Sequence, residues 1–591
     1  MQAGAKQLMD IKTLHDADII GISTAKSAFD TLATAFGQHI ESWQHDVVDR
    51  LGHSEWTGTA AGHANTRISN LGTELQAAKQ ELGLVSRALQ DAYDGFAAAQ
   101  AHLISALDDA KKQKLTVADD GGITWDKDPN SPNFAGNDAE NQAKQIQSRI
   151  TAALNEADHA DQAINTRLAH LATNAGNGTG LDSATAKADQ AATDALSQVP
   201  AAGTDPNSVK AWWNGLTDEQ QHRMVLNHPD QIGNLDGIPA AARDQANRTN
   251  LKNLIQDRNR QLNDLGPEPK QYLGYVKGEP VTNPEYEKWK AKHDALKEKL
   301  DGFQSIQDRL DGKKDGGLGG PNSDPPLLLL GIGDQGQGRA IVSWGDPDKA
   351  RNVSSLVPGL NSTMAGVGGG DAMTAKRIYD SAVSSAGKNE TPSVASVFWL
   401  GYDAPQLDGD SVAAKDRAVA GGADYNKFLA GLRATHEGAP AHMTAQGHSY
   451  GSLVVGQATQ HPGGLAADDI ILVGSPGVGV DKASQLGVGA DHVYVGAAKN
   501  DPVANAPSPG MLGGLGELIY EQINHPGKQA WFGTDPASED FGGQRFSVAD
   551  GTITDSHDDH FGKNGAGGDS LPNIGKIVSG HGNAITRQDP R

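Results

Sequence analysis

A serine that could act as a nucleophile lies between glycines, where residues 447–451 read Gly-His-Ser-Tyr-Gly. The spacing G-x-S-x-G is typical of a nucleophile elbow, in which a strand turns sharply into a helix and exposes the serine on the turn. The preceding residues 443–446 can end a strand, and residues 452–459 can begin a helix. We therefore predict that Ser449 is a nucleophile. The alternative is a glycine-rich turn that holds an ordinary serine.

A nucleophilic serine needs a base that takes its proton and a carboxylate that orients the base. Asp501 follows a predicted strand near residues 492–496 and could accept a histidine N–H, although Asp-Pro at a strand end is also ordinary turn chemistry. His557 and His560, in the stretch His-Asp-Asp-His, are the two candidate bases. The same stretch could instead bind a metal ion, but no further ligand cluster is evident in the sequence. We expect neither a metal nor a cofactor.

The negative charge that develops on an attacked carbonyl oxygen needs two backbone N–H donors. The amide of Tyr450 follows the nucleophile and is the first candidate. The second is expected from residues 357–363, the loop after the third predicted strand, through the amide of Leu360 or Asn361.

An alternation of short apolar runs and helical stretches begins near residue 320 and is typical of an α/β sheet. Strands are predicted near residues 326–330, 339–344, 353–357, 393–400, 442–446, 469–473 and 492–496, with a further one near 545–549. Ser449 then follows the fifth strand. Residues 331–336 fit G-x-G-x-x-G, but a strand follows them instead of a helix, so they predict a hairpin loop and not a nucleotide site.

Several spaced motifs resemble, in order, an actinobacterial α/β-hydrolase family. They are Asp-Pro-Asp at 346–348, Asn-Val at 352–353, Val-Pro-Gly at 357–359, Trp-Leu-Gly-Tyr-Asp-Ala-Pro at 399–405, the serine stretch at 447–452 and Asn-Asp-Pro-Val at 500–503. The resemblance also takes in Trp212-Trp213 and residues 234–240, and thus covers roughly residues 205–591.

The resemblance implies an α/β-hydrolase fold and a serine hydrolase with its residues in the order Ser, Asp, His. In that family the late histidine lies in a His-Ser-x-Tyr-Phe-like stretch, so His557 occupies the family position and His560 remains a rival. We expect a carboxylic ester as the substrate, a small molecule or a lipid, because this fold more often hosts esterases.

The N-terminal part predicts a long helical hairpin. Apolar residues follow helical spacing from residue 14 to 51, and a 3–4 alternation continues from Ile68 to Leu103, which favours a coiled-coil seam. The turn between them contains Trp56 and Gly58. Trp-x-Gly at such a bend resembles the WxG family of type VII secretion substrates and implies a helical partner and export. The alternative is any antiparallel helical pair with a tryptophan packed at its turn.

Composition excludes several functions. Acidic residues outnumber basic ones, 73 to 50, for a net charge of −23, which argues against nucleic acid as the partner. The absence of cysteine excludes disulfides and thiolate sites. Residues 1–10 lack the apolar core of a signal peptide, and no apolar run reaches the ~18 residues of a membrane span. We expect a cytoplasmic protein, or one secreted without a cleaved signal by the type VII route.

The chain is predicted to divide into four parts: a WxG-like hairpin over 1–115, a β-hairpin with a third long helix and a linker over 116–204, a docking helical segment over 205–315, and the α/β domain over 320–591. In the third part, Arg243, Asp244 and Asn247 favour a buried structural network over a binding site. A different class of function also fits this division. The chain could be chiefly an interaction protein of the envelope or the secretion route, with its hydrolase domain secondary or inactive.

Overall fold

The computed structural model describes residues 9–119, 121–136, 138–387, 393–406, 415–501, 503–504, 531–552, 556–562 and 568–590. The chain forms two compact units, one of residues 1–199 and 211–224 and the other of residues 200–210 and 225–591. The finer division into four parts stays a prediction.

The first unit is mainly helical. Its helices are α1 (Ile11–His15), α2 (Ile19–Trp43), α3 (Thr59–Lys112), α4 (Ala139–Asn177) and α5 (Ser183–Leu196). A π-helical turn (Gln44–Asp49) and a short helical turn (Arg50–Gly52) extend α2, and residues 53–58 then reverse the chain into α3. Helices α2 and α3 pack against each other, so the predicted helical hairpin is confirmed.

The predicted third long helix is present as α4 and buries one of its faces. Helix α4 packs on α3, and its buried residues include Ala143, Ile146, Ile150, Ala153, Ala157, Ala160, Ile164 and Leu171. Between α3 and α4, strands β1 (Leu115–Val117) and β2 (Ile123–Trp125) pair in antiparallel fashion. This confirms the small predicted hairpin; Asp120, which comes between the two strands in the sequence, lies outside the described residues.

The segment that precedes the large sheet is helical with one exception. Its helices are α6 (Pro206–Asn214), α7 (Asp218–Asn227), α8 (Pro229–Ile232), α9 (Ala240–Asp264) and α10 (Pro284–Leu310). The exception is an antiparallel pair, β3 (Tyr272–Val276) and β4 (Glu279–Thr282), which lies between α9 and α10 and was not predicted from the sequence.

The predicted buried network is present in this segment. The Asn247 amide donates to the carbonyl oxygens of Gly233 at 2.7 Å and Leu329 at 3.0 Å, and Arg243 lies 2.9 Å from an oxygen of Asp236. Asn247 is completely buried, so these bonds fix α9 against the first strand of the sheet.

Among the described residues, eight strands form the large sheet. They are β5 (Leu327–Gly333), β6 (Arg339–Trp344), β7 (Asn352–Val357), β8 (Val394–Leu400), β9 (His442–His448), β10 (Asp469–Val473), β11 (Val493–Gly496) and β12 (Gln544–Arg545). Their spatial order is β5-β6-β8-β7-β9-β10-β11-β12, and all neighbours are parallel except the pairs that β6 makes with β5 and β8.

The predicted strands are all present, with differences in length. Strand β9 continues to His448, directly before the serine, whereas β12 is only two residues long and not the five that residues 545–549 predict. Phe546 still donates to the Val495 carbonyl oxygen at 3.0 Å but also forms a bridge with Arg587, and the Ser547 N–H then donates to the Thr586 carbonyl oxygen, so the pairing with β11 ends there. Residues 331–336 belong to the end of β5 and the β5–β6 hairpin, as expected.

Both faces of the sheet are covered. Every residue of β8 and β10 is buried, and successive residues of a strand point to opposite faces, so helices must pack on both sides. These helices include α11 (Ala372–Ser385), α12 (Asp416–Thr435), α13 (Tyr450–Thr459) and α14 (Ser570–Val578); α11 packs on α14 and α12 on α13. The α/β fold class is thereby confirmed.

Candidate active site

Ser449 is the single residue between the end of β9 and the start of α13. Its backbone has φ 55° and ψ −130°, a conformation that costs a non-glycine residue energy and that the surrounding structure must hold in place. Part of this support comes from β10, because the Ser449 N–H donates to the Val473 carbonyl oxygen at 3.0 Å. A sharp strand-to-helix turn is therefore present at the predicted serine.

The flanking glycines are needed for packing, as the spacing suggests. A Cβ atom on Gly447 would lie 2.5 Å from the Cα of Ser452, and one on Gly451 would lie 2.2 Å from the carbonyl oxygen of Val357. Neither distance is compatible with a larger residue. A third glycine, Gly359, faces the serine itself, since its added Cβ would lie 3.0 Å from the Ser449 Oγ.

Asp501 and His557 meet at the same edge of the sheet. The Nδ1 atom of His557 lies 3.0 Å and 3.1 Å from the two carboxylate oxygens of Asp501. A Cβ added to Gly474, the residue after Val473, would lie 3.0 Å from both Asp501 Oδ2 and His557 Nδ1. Because Val473 also binds the Ser449 amide, the serine, the histidine and the aspartate lie beyond the carboxyl ends of β9, β10 and β11.

The environment of Asp501 favours its charged form. Its side chain is fully buried, and burial alone would raise its pKa. The hydrogen bonds and the charge of His557, with smaller contributions from His560 and the Val503 amide, outweigh burial and hold the pKa of Asp501 well below its ordinary value. An ionised, buried carboxylate can fix the tautomer and the orientation of an imidazole.

His560 lies behind this pair. Its Nε2 atom is 3.9 Å from the second oxygen of Asp501, beyond hydrogen-bond distance, and its side chain is 1% exposed, compared with 18% for His557. Among the residues that the structure describes, Nε2 of His560 has no hydrogen-bond partner. Of the two histidines, His557 therefore has the closer contact with the carboxylate and the greater access to solvent.

His448 is a member of the site that sequence reasoning missed. Its Nε2–H donates to the backbone carbonyl oxygen of His557 at 2.8 Å, and the two rings are 4.9 Å apart. Burial, followed by the charge of His557, lowers the pKa of His448 to about 3, so its ring is neutral near neutral pH. No feature of the G-x-S-x-G spacing gives this residue a role.

A group of three side chains here could hold a metal ion. Ligand atoms of His448, His557 and Asp558 lie within 4.8 Å of one another. This group differs from the His-Asp-Asp-His stretch considered as an alternative metal site, because it includes His448, the residue before the serine, and does not include His560. His557 is shared between this group and Asp501.

The loop after β7 approaches the serine from the other side. The hydroxyl of Tyr402 donates to the carbonyl oxygen of Pro358 at 2.7 Å, and the ring of Tyr402 is parallel to that of Tyr450 at 6.5 Å. In this loop the Asn361 amide donates to the Pro405 carbonyl oxygen at 2.8 Å and so points to that neighbour. Of the two amides considered for this loop, that of Leu360 is the remaining candidate.

The sheet order and the strand-to-helix serine are those of an α/β-hydrolase. Residues 334–510 match a family model described as alpha/beta hydrolase. The uncharacterized protein Rv2079 of Mycobacterium tuberculosis (strain H37Rv) is 30% identical over 445 residues, which cover 72% of this chain and 63% of that protein. The uncharacterized protein Rv0963c of the same strain is 38% identical over 195 residues, 32% of this chain and 71% of that protein. The chain therefore contains an α/β-hydrolase domain, which the family model matches over residues 334–510.

This chain spans 63% of the length of Rv2079, so its likeness to that relative is partial. In the part of the chain that the structure describes, no helix combines the length and the apolar character needed to cross a membrane.

Proposed function

We propose that the protein is a carboxylic ester hydrolase that uses Ser449 as the nucleophile, His557 as the base and Asp501 as the orienting acid. The observation that carries the proposal is the pair of 3.0 Å and 3.1 Å contacts between His557 Nδ1 and the Asp501 carboxylate, at the sheet edge where Ser449 turns. A buried serine in a strained turn can serve as a nucleophile when a histidine–aspartate pair lies at the same edge of the sheet.

The reaction follows from these contacts. Because Nδ1 of His557 faces Asp501, its Nε2 atom takes the proton of the Ser449 hydroxyl as the oxygen attacks the acyl carbonyl. The tetrahedral intermediate collapses when the carbon–oxygen bond to the alcohol breaks and His557 returns the proton to that alcohol. Water then attacks the acyl-enzyme with the same base, which releases the acid and restores the serine. This scheme uses no cofactor.

The oxyanion is stabilised by backbone donors. The Tyr450 amide begins α13, where the helix dipole favours negative charge, and the Leu360 amide supplies the second donor from the loop that Tyr402 supports. Gly359, the neighbour of Leu360, contacts Ser449, which supports the assignment of this loop to the attacked carbonyl. An ester is proposed over an amide by analogy with other hydrolases of the fold.

A fluorophosphonate probe tests this proposal directly, because it labels only an activated serine. We expect labelling and hydrolysis of short-chain esters by the wild type, and loss of both in Ser449→Ala. The matched control is Ser452→Ala, which removes a neighbouring hydroxyl that donates to the Gly447 carbonyl oxygen within the turn. A wild type that takes no label, or a Ser449→Ala variant that keeps it, would contradict the proposal.

We propose a second function, in which the protein is exported and its first unit binds a helical partner. Trp56 is 52% exposed at the turn of the helical hairpin, and Gly58 has φ 103°, a value that favours glycine. A large exposed aromatic side chain suits recognition better than packing within its own hairpin. Trp56→Ala should abolish export from a host with a type VII system, whereas the adjacent Glu55→Ala should not. Equal export of both variants would contradict this function.

A further inference from the structure

The β3–β4 hairpin exposes several large apolar side chains to solvent. Every residue of its two strands is exposed, including Leu273 at 68%, Tyr275 at 71% and Val276 at 63%. Tyr275 and Val276 are adjacent in one strand and so point to opposite faces. Both faces of the hairpin are therefore apolar and exposed to solvent. Soluble proteins rarely expose large apolar patches, and those that do often use them as interaction sites.

The hairpin stands at the same end of the sheet as the candidate active site. Helix α9 runs alongside β5: Arg248 bonds to the carbonyl oxygen of Leu327 near the start of the strand, and Arg258 bonds to Asp334, just after its end. Strand β5 is parallel to β7 and β9 because it pairs through the antiparallel β6. Helix α9 thus points beyond the carboxyl ends of these strands.

The distance that the hairpin extends can be read from α10, which returns to the sheet. Lys299 of α10 bonds to the Asp334 carbonyl oxygen, whereas Trp289 bonds to Gly266 just after the end of α9. Trp289 and Lys299 are ten residues apart in the helix, a distance of about 15 Å at 1.5 Å per residue. The hairpin precedes α10, so it projects about this far past the edge of the sheet where Ser449 lies.

The charges of the hairpin differ from those of the whole chain. Between residues 272 and 282 the charged residues are Lys277 and Glu279, a net charge of zero in a chain of net charge −23. Lys277 lies at the tip, between the two strands. A lysine beside apolar and tyrosine side chains suits the headgroup region of a bilayer, where the ammonium group reaches phosphate and the apolar groups lie deeper.

We propose that the β3–β4 hairpin inserts into the surface of a phospholipid bilayer. A protein partner would dock on one face of the hairpin and leave the other in water, whereas a lipid interface surrounds a protruding element and covers both faces. Insertion would present the carboxyl edge of the sheet to the lipid. That the surface also carries the ester substrate depends on the proposed hydrolase function, whereas the binding itself does not.

Co-sedimentation of the full chain with phosphatidylcholine vesicles tests the insertion. We expect the wild type to bind, and to remain bound in 1 M salt, because apolar burial and not charge drives the contact. Leu273→Ser should weaken binding about tenfold, as expected for the loss of one buried leucine. The matched control is Leu226→Ser, since Leu226 is also a leucine exposed on the surface, at 51%, but lies in α7.

Three results would overturn the proposal. The first is a wild type that does not sediment with vesicles, and the second is a Leu273→Ser variant that binds them equally well. The third is a dimer that forms without lipid and that Leu273→Ser dissociates, which would assign the hairpin to contact with a second copy of the chain. Hydrolysis of a soluble short-chain ester, measured on the same variants, keeps the two proposals separate. Leu273→Ser should leave it unchanged, and vesicle binding by Ser449→Ala should equal that of the wild type.

Discussion

The choice of base between two histidines three residues apart gives the sharpest prediction. Replacement of His557 by alanine should remove the base, whereas replacement of His560 should leave it in place. The contacts with Asp501 support this difference, because the His557 Nδ1 atom lies 3.0 Å from the carboxylate and the His560 Nε2 atom lies 3.9 Å from it. Only the first distance allows a hydrogen bond that orients a ring.

The two substitutions should lower kcat by factors that differ by orders of magnitude. Loss of the base should lower kcat by about 10⁴-fold or more, about 5 kcal/mol of transition-state stabilisation, since the serine then keeps its proton and the leaving alcohol receives none. His560→Ala should change kcat by less than about tenfold, because this ring contacts Asp501 from behind. It should instead lower stability by about 1–3 kcal/mol, as its side chain is almost fully buried.

The assay is steady-state hydrolysis of a soluble ester, with fluorophosphonate labelling rates as the second readout. Far-UV circular dichroism and a thermal unfolding curve on each variant separate misfolding from loss of chemistry. Retention of activity in His557→Ala with loss in a folded His560→Ala would refute the assignment and transfer the role of base to His560. Equal loss in both folded variants would show that the two rings act as a unit.

Three further predictions follow from single contacts. Gly359→Ala should slow labelling at least about 100-fold without loss of fold, because the new methyl group would lie 2.6 Å from the Ser449 Cβ. The pKa of Asp501 is lowered on folding, so its charge stabilises the protein above the ordinary value near 3.8, and this stabilisation is lost as the pH falls. The melting temperature of Asp501→Asn should thus fall furthest below that of the wild type near neutral pH, with the gap closing below about pH 4. Asn247→Ala should cost about 2–3 kcal/mol in denaturant unfolding, because the Leu329 carbonyl loses its buried partner; an unchanged midpoint would contradict this.

The large sheet could be predicted from the sequence because its strands are buried on both faces and read as continuous apolar runs. The serine turn was predictable for a related reason. Its backbone leaves no room at Gly447 and Gly451, so the packing imposes residue types that appear in the sequence as a motif. The extent of β12 was not predictable, since its second half pairs with Arg587, a contact between distant parts of the chain.

The exposed hairpin shows the opposite situation. Residues 272–282 contain β-branched and aromatic residues around Lys277-Gly278, a signal for two short strands and a tight turn. The surrounding helical pattern concealed this signal, because α9 and α10 together supply far more periodic residues. Strand pairing in this hairpin satisfies backbone groups without burying side chains, so its apolar residues do not serve a core, and their presence needs another explanation.

The ambiguity between His557 and His560 has a physical origin. His557 lies just before a short helical turn, residues 559–561, that contains His560, and both rings approach Asp501, at 3.0 Å and 3.9 Å. Spacing alone therefore cannot separate them. The difference arises from burial: His560 packs inside, at 1% exposure, whereas His557 retains 18% and is supported from below by the His448 side chain through its backbone carbonyl. A base must exchange protons with substrate and water, so access, and not proximity to the carboxylate alone, favours His557.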